Sequence, residues 1–229
     1  MSLLSKIVQD AQDVQAAEEY VATGSKKIDE SGNYIAKINM AKMKESKGGA
    51  IGIDLEFETE DEKKVYDTIW ITTKDQLTYY IDKEGQKREL KGHAQVCALN
   101  YIINGVWGLP SAEVKQIKEY NWERKKEEHV EREVIMSWIG KPIGLCVQVT
   151  MEDHYNDQTK SLTRVSAEHF FDPVSHLFAS EKKKGVTEPE LYAKFAEKSE
   201  KTPVEDKREF SKGDNGLTGQ TVNKESLGF

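Results

Sequence analysis

The sequence predicts a mainly β protein with a few helices, folded as a small antiparallel barrel or sandwich of five or six strands. Three observations predict it. Residues 48–73 hold two alternating segments around a short charged turn, residues 139–172 repeat that hairpin pattern, and the regular strand–helix rhythm of a parallel sheet is missing. With 229 residues, 37% hydrophobic and 32% charged, the chain can bury one domain's core and still carry polar arms. The expected division is an N-terminal helix and linker (1–30), a barrel domain (31–179) with a helical insertion at about 92–135, and a polar, largely disordered tail (180–229).

Each element has its own signal. Leu4, Ile7, Val8, Ala11 and Val14 recur at helical spacing, so residues 3–20 read as an amphipathic helix. From Tyr34 a first strand sets Ala36, Ile38 and Met40 against Lys37, Asn39 and Ala41. Lys42, Lys44 and Lys47 then precede Gly48 and Gly49, either as a basic loop able to follow a phosphate backbone or as a plain solvated turn. In the central hairpin Ile51, Ile53, Leu55 and Phe57 form one face, continued by Val65, Ile69 and Ile71. Its opposite face carries Tyr66, Thr68, Trp70 and Thr72 where charges are usual, so two aromatics stand on a side that ought to be wet, or else under a second small core. Tyr79 and Tyr80 lead into an Asp82-Lys83-Glu84-Gly85 turn and point to opposite faces, so one of them faces outward.

Val96, Leu99, Ile102 and Ile103 mark a short buried helix, with His93 as a helix-start residue. The half-charged run from Ser111 to Arg132 is either a solvated helix or a long excursion between strands. Ile143, Leu145, Val147, Val149 and Met151 share a strand face, followed by a turn at Asn156 and Asp157 and a return strand from Ser161 to Ala167. Beyond Pro173 only Leu191, Tyr192 and Phe195 hint at a helix, and the polar end closes on Leu227, Gly228 and Phe229.

Cys97 and Cys146 sit in apolar contexts without CxxC or Cys/His spacing, so they read as core residues in a reducing compartment, and no metal or other cofactor is expected. No run approaches the ~20 apolar residues of a membrane span, and a soluble cytoplasmic protein is expected. A formal net charge of -7 argues against indiscriminate coating of nucleic acid, so any binding needs a local basic patch. Exposed aromatics beside such a patch suit single strands, because every base offers a π-face and every nucleotide a charge. The candidate nucleic-acid-binding residues are Lys37, Lys42, Lys44, Lys47, Tyr66, Trp70, Tyr79, Tyr80 and Arg164.

The order SGNYIAKI, SKGGAIGIDLEF, YDTIWITT, a tyrosine-rich strand, WIGKPIGLCVQV, a hairpin and VSAEHFFDP before a polar tail ending in Phe229 resembles the single-stranded DNA-binding proteins of tailed bacteriophages. The resemblance covers roughly residues 31–175. It implies an OB-fold barrel that binds single-stranded DNA without sequence preference in phage replication and recombination, inside an infected host. It also implies that Leu227 and Phe229 reach replication or recombination proteins. In that family the tail is normally acidic; here residues 185–229 hold nine acidic and seven basic side chains, a net of -2.

Two other functions stay open. Asp54, Glu56 and Glu58 share a strand face near Glu62 and Lys64, the residue types of a Mg²⁺-dependent nuclease, although Glu62 and Lys64 fall in the hairpin turn. The acidic balance also fits a protein-interaction module that binds no nucleic acid. Non-enzymatic binding is the expectation, and the sequence leaves self-association into a homo-oligomer open.

Overall fold

The computed structural model describes residues 27–121 and 123–209. The helix expected over residues 3–20 and the tip at Leu227 and Phe229 lie outside them. The described elements run β1 (Gly32–Glu45), β2 (Ile51–Thr59), β3 (Lys64–Trp70), β4 (Tyr79–Ile81), β5 (Lys87–Glu89), α1 (Lys91–Asn104), β6 (Glu113–Asn121), β7 (Lys126–Val134), β8 (Pro142–His154), β9 (Asp157–Phe171), α2 (Ala179–Lys184), α3 (Glu190–Lys201) and β10 (Glu205–Asp206). The chain is mainly β, as expected, but the described residues hold ten strands in place of the expected five or six.

The central hairpin forms as its period dictates. β2 and β3 pair antiparallel, Phe57 opposite Val65 and Ile53 opposite Ile69, and all four are buried. β1 pairs with β2 along one edge; on the other it pairs first with β8, from Gly32 to Lys37, and then with β7 at Lys42 and Val134. β8 carries β9 on one edge, so β1 and the parallel β10 share the other. Between the layers lies one core, in which Ile38, Phe57, Leu99, Ile135, Trp138, Ile143 and Leu145 are almost fully buried. The linker contributes too, since Ile28 is buried there. The Trp138 indole, the largest of these side chains, donates to Asn100 Oδ1 at 3.3 Å and so keeps its one polar group satisfied.

The simple alternation read for β1 holds only to Ile38. A register shift between Ile38 and Met40 inserts Asn39 as an extra residue against β2. A one-residue insertion moves every later side chain to the other face. Ala41 therefore enters the core and Met40 does not, the reverse of the expectation. Lys42 and Lys44 belong to the strand and not to a loop, and the bulge turns them outward.

The expected helical insertion at 92–135 is a helix for its first part only. Residues 113–134 form the β6–β7 hairpin, with Ile117 opposite Val130 and most side chains exposed on both faces. Its tip is set by Asn121, whose side-chain oxygen accepts the Glu123 and Arg124 N–H groups at 3.0 Å each.

Residues 180–209, expected to belong to a largely disordered tail, are folded. Phe178, Tyr192 and Phe195 pack on Cys146 and Phe171, which anchors α2 and α3 against the sheet. Ser31 N–H donates to the Pro203 carbonyl at 2.7 Å, and Lys207 N–H to that of Met151 at 2.8 Å, so the chain is tied down as far as β10.

Candidate nucleic-acid interface

The wet face of β3 becomes one wall of an open cleft of about 610 Å³ across β1, β2, β3 and β9, lined by Lys42, Lys44, Tyr66, Trp70 and Arg164 among others. Tyr66 is 61% exposed and Trp70 39%, so among the described residues no second core covers them. Trp70 has a seat that the sequence did not suggest. Gly52 stands directly opposite it, and a Cβ there would lie 2.8 Å from indole Cε3, so the missing side chain lets the ring lie close over β2. Gly92 of α1 fits as tightly behind the same residue, because a Cβ there would fall 2.1 Å from the Trp70 carbonyl oxygen. A glycine on the wet face of a strand opposite an aromatic was the available sign of the first contact; the second joins elements far apart in sequence.

β3 and β9 approach without a strand ladder among the described residues. They are joined by Asp67, whose Oδ2 accepts the Ala167 N–H at 2.8 Å. Burial pushes the Asp67 carboxyl up, by more than the Ala167 and Thr68 N–H groups pull it down. Helix α1 braces this junction: Gln95 donates to the Glu168 carbonyl at 2.6 Å, and Lys91 pairs with the Glu168 carboxylate.

The cations of the cleft are all engaged. Lys44 Nζ lies 3.0 Å from Asp54 Oδ1, which also accepts the Thr68 hydroxyl at 2.6 Å. Arg164 sits 3.6 Å from Glu152, and Lys42 pairs with Glu119 on β6. Glu119 also takes Arg132 at 2.9 Å; burial alone would raise its carboxyl, but the two cations outweigh it and hold the pKa below the ordinary value. Lys42, Lys44 and Arg164 face Asp54, Glu56 and Asp67, so the lining is balanced in charge. A phosphate entering there exchanges one anionic partner for another.

Four of the nine candidates lie elsewhere. Lys37 borders a separate hollow with Glu58, Glu60 and Glu62 at the other end of β1, and Lys47 is exposed in the β1–β2 turn. Tyr79 and Tyr80 are not on the sheet that carries Trp70: β4 and β5 make a two-stranded sheet of their own. Tyr80 is 49% exposed there, and Lys87 Nζ stands 4.6 Å from the Tyr79 ring centroid.

The nuclease carboxylates are also engaged, Asp54 by Lys44, Glu56 by Lys64 at 2.9 Å and Glu58 by Asn39. Among the described residues, three side chains of metal-ligand type come within 4.8 Å of one another only at Glu89, His93 and Cys97. The His93–Glu89 contact of 2.6 Å is an ordinary pair four residues apart, while burial, with Glu89 nearby, raises the Cys97 thiol and keeps its proton on.

The fold and the cleft together define a mainly β protein with two open aromatics among paired lysines and carboxylates on one sheet face. No protein-family model matches the chain, and comparison with curated proteins finds no match. Among the described residues no helix is long and apolar enough to cross a membrane.

Proposed function

We propose that this protein binds single-stranded DNA, without reading its sequence, in the cleft of β1, β2, β3 and β9. The observation that carries the reading is the exposed pair Tyr66 and Trp70 on one strand face, with Lys42, Lys44 and Arg164 around them. Bases stack on the two rings while phosphates take over the three cations from their carboxylates. Antiparallel strands curling around one core, with α1 bracing the β3–β9 junction, support an OB-like barrel as the frame of this site. The resemblance to phage single-stranded DNA-binding proteins supports a role in phage replication and recombination, with Leu227 and Phe229 as the contact proposed for other replication proteins.

The balanced charges also shape the expected behaviour. At most three phosphates are neutralised, so log affinity falls with log salt at a slope of about -2, shallow for a nucleic-acid binder. Stacking is worth about 1–3 kcal/mol per base, so Trp70→Ala and Tyr66→Ala each weaken binding to a fluorescent oligothymidine by a factor on the order of ten or more. Parent-like affinity in folded Trp70→Ala sinks the proposed platform. The same balance favours, as a second reading, a protein ligand in the cleft; absence of binding to any oligonucleotide at low salt would select it.

A further inference from the structure

We propose that two copies of this chain join edge to edge through β6, antiparallel, about a twofold axis at Ile117. On one edge β6 pairs with β7, and among the described residues no other strand pairs with it. The hairpin is held to the body by the β7–β1 pairing at Val134 and Lys42 and by the Lys42–Glu119 ion pair, and the β6 side chains are exposed or half-buried throughout. A strand edge of this kind is a template for another strand, which proteins normally blunt with charges. Here the charges select a partner.

In an antiparallel pair, residues directly opposite share the same hydrogen-bonding type, so the self-pairing registers of β6 step one residue at a time along its axis position and each sets one residue against itself. Centring on Lys115 or Lys118 opposes lysine to lysine, and centring on Glu119 opposes two glutamates. Centring on Gln116 brings Glu113 against Glu119. Like charges directly opposite are destabilising. Centring on Ile117 avoids all of these: Ile117 meets Ile117, Lys115 meets Glu119, Gln116 meets Lys118, and Val114 meets Tyr120 of the second copy. The last two are large and apolar and are 63% and 47% exposed, so the register also covers the most open apolar surface of the strand. Such a contact is isologous and closes on itself, giving a dimer with a continuous four-stranded ribbon β7–β6–β6–β7. Nine residues of edge make a small interface, so association is reversible and rises with concentration.

The register makes a sharp test by disulfide trapping. Opposed Cα atoms in an antiparallel pair lie about 4.5–5.5 Å apart, inside the range a disulfide spans. Ile117→Cys should therefore form a covalent dimer under mild oxidant. Val114→Cys should not, because the two copies of that position sit six residues apart along the ribbon, roughly 20 Å. Val114→Cys combined with Tyr120→Cys restores trapping and guards against a misleading result from either single change. The two native cysteines are buried and do not compete. The expected result is dimer formation at least tenfold faster for Ile117→Cys and for the double variant than for Val114→Cys. Equal rates for all three, or no dimer from Ile117→Cys, overturn the proposal. The reaction contains no DNA, so its outcome is independent of the nucleic-acid reading.

Discussion

Gly92→Ala tests whether α1 positions the aromatic platform. A Cβ at residue 92 would lie 2.1 Å from the Trp70 carbonyl oxygen and 2.9 Å from its carbonyl carbon. Carbon and carbonyl oxygen normally meet at about 3.3 Å, so helix and strand must separate by roughly 1.2 Å. Neither obstacle is a flexible side-chain end, and Gln95 and Lys91 tie the same helix to β9, so it cannot tilt away freely. Overpacking of this kind costs about 1–3 kcal/mol, and the rigid backbone argues for the upper end. The better helix propensity of Ala returns up to ~1 kcal/mol, leaving a net loss of about 2 kcal/mol. For a folded unit of this size that is a fall of roughly 4–8 °C in Tm, measured by calorimetry. The shift displaces Trp70, so oligonucleotide affinity falls several-fold in parallel. Gly48→Ala is the control, since a Cβ there meets nothing closer than 3.8 Å, and its effect should stay within about 0.5 kcal/mol. A Gly92→Ala protein that melts within a degree of the parent would refute the argument.

Gly52→Ala places its methyl group 2.8 Å from Trp70 Cε3 and 3.0 Å from the Ile69 carbonyl oxygen; the ring can swing aside and the backbone must give by only a few tenths of an ångström, so it should lower Tm by less than Gly92→Ala does while weakening oligonucleotide binding several-fold, and unaltered affinity would show that the seat is irrelevant. Asp172 gives a pH signature. Burial alone would raise its carboxyl, but Lys182 at 2.7 Å and the N–H groups of Ser175 and Val174 hold its pKa down at about 2, below the ordinary 3.8. A depressed carboxyl stabilises the fold above its unfolded value and loses that contribution as pH falls. The urea unfolding free energy of the parent should thus exceed that of Asp172→Asn by ~1 kcal/mol at pH 7, after allowance for solvent screening, and the gap should close between pH 4 and 2; a constant gap contradicts the ion-pair account. Finally, a chain ending at Lys201 should be about 2–3 kcal/mol less stable than one ending at Glu209, because it lacks the Pro203 and Lys207 backbone bonds and the packing of Val204. Equal denaturation midpoints for the two would show that β10 is an ornament of the sheet.

The central hairpin was legible because β2 and β3 obey a clean period of two, with one face buried and one wet. The β1 phase was legible only up to Ile38. A bulge leaves no mark in composition, and its effect on Ala41, Lys42 and Lys44 appears only against the register with β2. The β6–β7 hairpin reads equally as helix or strand in the sequence because it has no continuous apolar face, both sides being wet. Tyr79 and Tyr80 were correctly read as part of a strand before a tight turn, but which sheet a strand joins depends on distant partners. The folded segment from Phe178 to Phe195 leaves a weak mark in the sequence because a few aromatics, spaced widely among lysines and glutamates, do the anchoring. Of the site, Tyr66, Trp70, Lys42, Lys44 and Arg164 were legible in the sequence. Asp67, Gly52 and Gly92 were not, since each acts through a residue remote in sequence.

The shared edge of β8 has a consequence for how the chain is made. β1 covers that edge as far as Val147, and β10 covers Thr150 and Met151. Translation finishes β8 at His154 but reaches Glu205 only 51 residues later (205 less 154), roughly 3–10 s at 5–20 residues per second. For that interval the growing chain displays a stretch of core strand with one side unmet. The nascent chain is therefore open to mispairing at that edge until β10 is made, and slow codons between residues 155 and 205 would lengthen that exposure.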